Sequence, residues 1–151
     1  MSVARYLLVL GRSVSGVSRP RWPGAGREAQ SATVRWVAWR LLGANHRELA
    51  RSAEVFADPA ECRAAIAEVV VAITGGTGMC ETEPVGGGWM WSLVAGGHRL
   101  AVSSRGYQRL PECRNNVGLF LAAAPGATVA LVMPRLLAQR GDWESLDVPA
   151  G

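Results

Sequence analysis

Hydrophobic and polar residues alternate along several short stretches of this chain, a pattern typical of β-strands with one buried face. The clearest cases are residues 34–42 and 89–95. The residues expected on the buried face are Val37, Trp39 and Leu41 in the first stretch and Trp89, Trp91 and Leu93 in the second. Further short strands are predicted at 3–10, 48–54, 78–83, 98–105 and 128–133.

Two stretches have the spacing of helices instead. Asp58, Pro59 and Glu61 form an N-terminal capping signature, which predicts a helix start. An apolar stripe with spacings of three and four residues follows at Ile66, Val69, Val70 and Ile73. Gly75-Gly76 ends this helix. A second helix is predicted over about 110–124.

The strands and helices occur in the same order twice, and the residues can be aligned. From Leu49 onward the two copies align at a spacing of 51 residues, and ahead of it Trp39 aligns with Trp91 at a spacing of 52. The clearest matches are Leu49 with Leu100, Ser52 with Ser103, Phe56 with Tyr107 and Cys62 with Cys113. One extra residue therefore lies within 44–47, in a turn, where it does not change which face of a strand is buried.

The repeated unit resembles a known family. The features that carry the resemblance are WSLVAGGHRLAVSSRGY at residues 91–107, the helix start Cys113-Arg114-Asn115-Asn116-Val117 and the exit Ala124-Pro125-Gly126-Ala127, together with Trp39-Arg40-Leu41, Asn45, Glu48, Ser52, Glu54, Phe56 and Cys62 in the first copy. Over residues 34–73 and 88–133 the chain is similar to the YegP-like family of uncharacterised small bacterial proteins.

The resemblance implies an α+β fold. Two tandem β-β-β-α(-β) repeats would form one antiparallel sheet with both helices packed on one face. The chain departs from the family at Asp58-Pro59 and Arg109-Leu110, where the family often has Ser-Lys, and at residues 11–33, which replace a tight hairpin. The family has no established catalytic residues, so none is transferred to this chain.

The expected organisation is one domain over residues 1–133, followed by a C-terminal tail at 134–151. Repeat one covers about 1–75 and repeat two about 76–133. Residues 11–33 are rich in Gly, Ser, Pro and Arg without periodicity, so they are predicted to be a flexible insertion in repeat one.

The charge and the cysteine content indicate in which cellular compartment the protein is expected. The net charge of +4 comes from 16 basic residues, all of them Arg, and the excess lies before residue 64. Three cysteines are an odd number without a pairing motif, which favours a reducing cytoplasm over a disulfide framework. We expect no targeting segment, because residues 6–10 are too short for one. Prolines interrupt the apolar run 117–137, so we expect no membrane span.

No enzyme signature is present, and we expect no catalytic residue, no cofactor and no metal. Cys62, Cys80, Cys113, His46 and His98 lack metal-ligand spacing. The glycine-rich residues 74–88 lack the Gly-Lys-Ser/Thr of a phosphate loop. Cys62 and Cys113 are predicted to be buried structural residues, although a helix N-terminus could instead lower the pKa of Cys113 for redox sensing.

The candidate contact residues lie in the insertion. They are Arg12, Arg19, Arg21, Trp22 and Arg27. They form either a solvated linker or a segment that contacts an acidic partner or nucleic acid. The favoured hypothesis is a cytoplasmic, non-enzymatic binding or self-association module with an unknown protein partner or as a homodimer. The alternative is a weak nucleic-acid binder acting through the Arg-rich insertion.

Overall fold

A computed structural model describes residues 3–14 and 33–131, and within these residues the chain forms seven strands and two α-helices. The strands are β1 Arg5–Val14, β2 Thr33–Leu42, β3 Glu48–Ser52, β4 Met79–Val85, β5 Gly88–Ala95, β6 His98–Ser103 and β7 Thr128–Leu131. The helices are α1 Pro59–Thr74 and α2 Leu110–Ala123, and a 3₁₀ turn at Ala124–Gly126 follows α2.

The strands form one sheet in the order β4-β5-β6-β3-β2-β1-β7. Each half of the chain contributes an antiparallel meander of three strands. The two meanders join where β3 and β6 pair antiparallel, with Ala50 opposite Ser103 and Ser52 opposite Ala101. The predicted α+β class is therefore confirmed.

The sheet is mixed, whereas an antiparallel sheet was expected. β7 pairs parallel with β1, with Arg5 opposite Thr128 and Leu7 opposite Ala130. The chain reaches this edge through α2 and the 3₁₀ turn, and a helical crossover is the kind of connection that brings a strand in parallel. Hydrophobic alternation predicts that a strand exists and which face it buries, but it carries no information on strand direction.

Both helices contribute to one hydrophobic core on the same face of the sheet. Trp39 and Trp91 are 0% and 1% exposed, as predicted, and they belong to one cluster with residues of α1 and α2. Tyr6 lies edge-on to Trp39, with ring centroids 5.2 Å apart, and Phe120 packs on Trp91 at 4.7 Å. The Phe120 contact joins α2 to the sheet, whereas the Tyr6 contact joins β1 to β2.

Several contacts recur at the aligned positions of the two halves. The backbone N–H of Trp39 donates to Ser52 Oγ at 3.2 Å, and the backbone N–H of Trp91 donates to Ser103 Oγ at 3.3 Å. Each half also has one isolated bridge between its second strand and the aromatic residue ahead of its helix, Val37 with Phe56 and Trp89 with Tyr107.

One core contact differs between the halves. Trp91 Nε1 donates to Asn116 Oδ1 at 2.6 Å. The residue of α1 aligned with Asn116 is Ala65, and among the described residues Trp39 Nε1 has no hydrogen-bond acceptor. A buried donor without an acceptor lowers stability by about 1–3 kcal/mol.

We therefore expect Ala65→Asn to raise the free energy of unfolding, by about 1 kcal/mol after the lower helix propensity of Asn is subtracted. Chemical denaturation measures this difference. Ala64→Asn, at the exposed neighbouring position, has the same propensity cost without the new acceptor and is the matched control. Equal stability of the two variants would show that Trp39 gains no partner.

The two helices also begin differently. Asp58 caps α1, because its side chain accepts a hydrogen bond from the Glu61 N–H at 2.8 Å, and Glu61 accepts from the Ala57 N–H at 3.0 Å. The predicted N-cap is thus confirmed. Arg109 occupies the N-cap of α2 in an extended conformation and makes no side-chain capping bond.

This difference predicts opposite effects of two substitutions. Asp58→Ala should destabilise the protein by about 1 kcal/mol, whereas Arg109→Asp should stabilise it, because Asp is a preferred N-cap residue and the backbone at position 109 is already extended. Thermal unfolding of both variants checks the signs. A loss of stability in Arg109→Asp would contradict the expectation that α2 lacks a cap.

Candidate binding groove

A groove of about 860 Å³ lies between α2 and the turn that joins β2 to β3. This volume is within the range of small-molecule sites. Its polar lining includes four arginines and two glutamates: Arg40, Arg47, Arg51, Arg105, Glu48 and Glu112. We call this feature the arginine groove.

Part of its lining is an ion-pair cluster. Arg40 of β2 lies opposite Arg51 of β3 in the sheet register, and like charges in such positions repel each other. Glu48 resolves the conflict: it accepts from Arg40 at 2.8 and 2.5 Å and also from Arg51 Nε. The Arg51 side chain is 1% exposed, so the cluster is partly buried in the protein. Its two arginines and one glutamate carry a formal charge of +1.

Two further arginines in the lining are exposed. Arg105 lies over the ring of Tyr107, with 4.9 Å from its Cζ to the ring centroid. Burial raises the pKa of Tyr107, more than the hydrogen bond and charge of Arg105 lower it, so the phenol stays neutral. Among the described residues, no carboxylate lies within ion-pair distance of Arg47 or Arg105.

The β2–β3 turn places Arg47 at the groove. The turn is closed by the Gly43 N–H, which donates to the Arg47 carbonyl at 2.8 Å, and by Asn45 Oδ1, which accepts from the Arg47 N–H at 3.1 Å. His46 has a left-handed φ of 67°. The corresponding β5–β6 turn is a tight turn at Gly96-Gly97, so the longer turn, predicted from the extra residue, helps to form the groove.

A smaller pocket of about 330 Å³ lies against α1, in the place that corresponds to the arginine groove in the other half of the fold. Sequence alignment matches Arg105 with Glu54 and Asn115 with Ala64. His98 pairs with Ala95 across the β5–β6 turn as Arg47 pairs with Gly43 across the β2–β3 turn, so these two residues correspond. The smaller pocket is lined mainly by small and apolar residues: Ala64, Ala67, Val71, Ala72, Thr77, Ala95 and Leu100, together with Glu68 and His98. The other half of the fold therefore forms without the positive charge of Arg105 and the amide of Asn115 at the aligned positions.

The cysteines do not have the environment of reactive thiols. Cys62 and Cys113 are fully buried in the first turns of α1 and α2, as predicted. Burial raises the pKa of Cys62 to about 12, and it also raises the pKa of Cys113 despite the nearby Arg114. Burial raises the pKa of Cys80 to about 11. Protonated thiols are poor nucleophiles, so redox sensing by Cys113 is disfavoured.

Of the contact residues predicted from the sequence, only Arg12 falls within the described residues. Arg12 lies in β1, where its backbone pairs with that of Arg35. Arg19, Arg21, Trp22 and Arg27 lie outside the described residues, and their predicted role stays a prediction. Arg47, Arg105 and Asn115 were not predicted to be site residues. The signal was available, because these are positions at which the two copies differ in charge or polarity.

The described part of the chain shows neither of two other types of site. No helix there is long and apolar enough to cross a membrane. No group of three or more His, Cys, Asp or Glu side chains there could hold a metal ion.

The fold belongs to the α+β class. Its mixed sheet is built mainly from two three-stranded meanders, and each meander is followed by a helix. It is similar to the solution structure of yegP from E. coli, a protein of unknown function, with a TM-score of 0.58 and 15% identity over 87% of this chain and 94% of that one. It is also similar to a UPF0339 protein from Shewanella oneidensis, with a TM-score of 0.59 and 13% identity over 87% and 92% of the two chains.

These similarities confirm the YegP-like fold that the sequence resemblance implied. At these identities the likeness concerns the fold alone. No family model matches the chain, and no curated protein matches it. Its function is therefore argued from its own groove.

Proposed function

We propose that this chain is a non-enzymatic binding module of the cytoplasm and that the arginine groove is its binding surface. The observation that supports this most is the pairing of a groove of ligand size with exposed arginines that the described carboxylates do not neutralise. Polar side chains at the mouth of a concave, partly apolar site are typical of ligand recognition.

The chemistry of the lining favours binding over catalysis. Glu48 is held by Arg40 and Arg51, and Glu112 lies 3.9 Å from Arg109. The lining contains no His or Cys among the described residues. No lining group is thus arranged as a nucleophile beside a base. Cysteines that are free in the structure are compatible with a reducing compartment.

Self-association is the second hypothesis. Two copies could pair through an outer strand of the sheet such as β4. This edge carries Glu81, Glu83 and Pro84. Charged residues and proline are devices that discourage edge-to-edge pairing, and two copies of β4 would bring like charges together. This edge therefore favours a groove ligand over a β4-mediated dimer. Nucleic-acid binding through residues 11–33 remains the alternative that we do not favour.

A thermal-shift screen against a library of water-soluble metabolites tests the proposal. A ligand that binds only the folded state stabilises it by about 2.7 kcal/mol at a concentration of 100 times Kd. We expect compounds that raise the Tm of the wild type to lose most of this effect in the Arg47→Ala/Arg105→Ala variant.

Arg114→Ala is the matched control, because Arg114 is exposed on α2 but does not line the groove. It should respond to the same compounds as the wild type does. The proposal is wrong if the double variant is stabilised as strongly as the wild type.

A further inference from the structure

We infer that the ligand of the arginine groove is a small anionic molecule, in which a carboxylate or phosphate is attached to an apolar body. This inference rests on the proposed function and adds the chemical class of the ligand. It follows from the separate positions of charged and apolar side chains in the lining.

The charged side of the site is formed by Arg47 and Arg105. Glu48 is already engaged by two arginines, and Glu112 lies within 3.9 Å of Arg109. The lining therefore has an excess of positive charge, four arginines against two glutamates. Guanidinium groups match the planar oxygen pairs of carboxylates and phosphates through two parallel hydrogen bonds, a geometry that a single ammonium does not offer.

The apolar side is formed by Leu49, Tyr107, Pro111 and Leu119. Tyr107 and Leu49 are 8% exposed, whereas Leu119 is 50% exposed although it is a large apolar residue. An apolar body lying between the turn and α2 would cover Leu119. Stacking on Tyr107 orients the Arg105 guanidinium, so less side-chain freedom is lost when an anion binds.

The aligned residues of the other half support the role of charge. Glu54 aligns with Arg105 and Ala64 with Asn115, and His98 takes the place of Arg47 in the corresponding turn. The positive charge of Arg105 is thus replaced by a negative one, Arg47 by a histidine, and the polar amide of Asn115 by a methyl group. The core tryptophans Trp39 and Trp91 are the same in both halves whereas these exposed groove positions differ, which favours a ligand as the reason for the charge difference.

The test is a titration of the ¹⁵N-labelled full chain, followed by NMR, with three probes of the same shape class. Benzoate and phenyl phosphate each carry an anionic group on a flat ring, and benzamide is the neutral counterpart of benzoate. We expect both anions to shift resonances of residues 45–49, 104–107 and 111–119. Benzamide should bind with an affinity lower by about tenfold or more, because it cannot form a charge-assisted pair.

The Arg47→Ala/Arg105→Ala variant should lose the shifts caused by both anions, and Arg114→Ala should keep them. Benzamide binding as tightly as benzoate would overturn the anionic class while leaving the groove as the binding surface. Anion-induced shifts that lie outside the groove, or that persist in the double variant, would overturn the inference. Shifts with phenyl phosphate alone would indicate that the ligand is a phosphate, and shifts with benzoate alone would indicate a carboxylate. Either result supports the inference.

Discussion

Replacing Trp91 by alanine should lower the free energy of unfolding by about 3–5 kcal/mol, and Trp39→Ala should have an effect of the same size. Both side chains are buried in the one core that joins the sheet to α1 and α2. Removing either indole leaves a cavity where the helices are anchored. Denaturant melts of both variants measure the loss, and a change below about 1 kcal/mol in both would contradict the burial of these residues.

Phenylalanine variants separate packing from hydrogen bonding. Trp91→Phe removes the donor to Asn116 and leaves a buried amide oxygen without it. Trp39→Phe removes a donor that has no acceptor among the described residues. The packing loss is similar in the two halves, so Trp91→Phe should be the more destabilising variant by about 1–3 kcal/mol. Equal losses would show that the Trp91–Asn116 bond contributes nothing net.

The second large effect is expected at Glu48. Glu48→Gln keeps the size of the side chain but removes the negative charge that lies between Arg40 and Arg51. Because Arg51 is almost fully buried, losing the charge of Glu48 beside it should cost about 3–5 kcal/mol. The expected result is a large drop in the denaturation midpoint.

Glu83→Gln is the matched control for Glu48→Gln. The Glu83–Arg99 pair is also within ion-pair distance, at 3.4 Å, but both side chains are more than half exposed. Exposed pairs contribute about 0–1 kcal/mol, so Glu83→Gln should be nearly neutral. If both substitutions cost the same small amount, the Glu48 cluster does not behave as a buried ion pair.

Local signals in the sequence predicted most of the elements correctly. The cap at Asp58 and the prolines of the first helical turns marked both helix starts. The tight hairpins likewise have a local cause, because Gly86, Gly87, Gly96 and Gly97 all have positive φ. These features depend on residues close in sequence, which is why they can be inferred without a structure.

Features that depend on distant residues were not predicted. The parallel direction of β7 follows from the path of the chain after α2. The arginine groove forms because α2, from the second half, packs near the β2–β3 turn of the first. Arg47 and Asn115 are 68 positions apart in sequence, and nothing in their local context shows that they line one groove.

The most direct test of the proposed function is an isothermal titration of the compound that most stabilises the wild type. Three proteins are compared: the wild type, Arg47→Ala/Arg105→Ala, and a variant with Arg12, Arg19, Arg21 and Arg27 all replaced by alanine. If the groove is the binding surface, the groove variant binds more weakly by about tenfold or more, which corresponds to about 1.4 kcal/mol, while the insertion variant keeps the wild-type affinity. Wild-type affinity in the groove variant, with the loss confined to the insertion variant, would contradict the account.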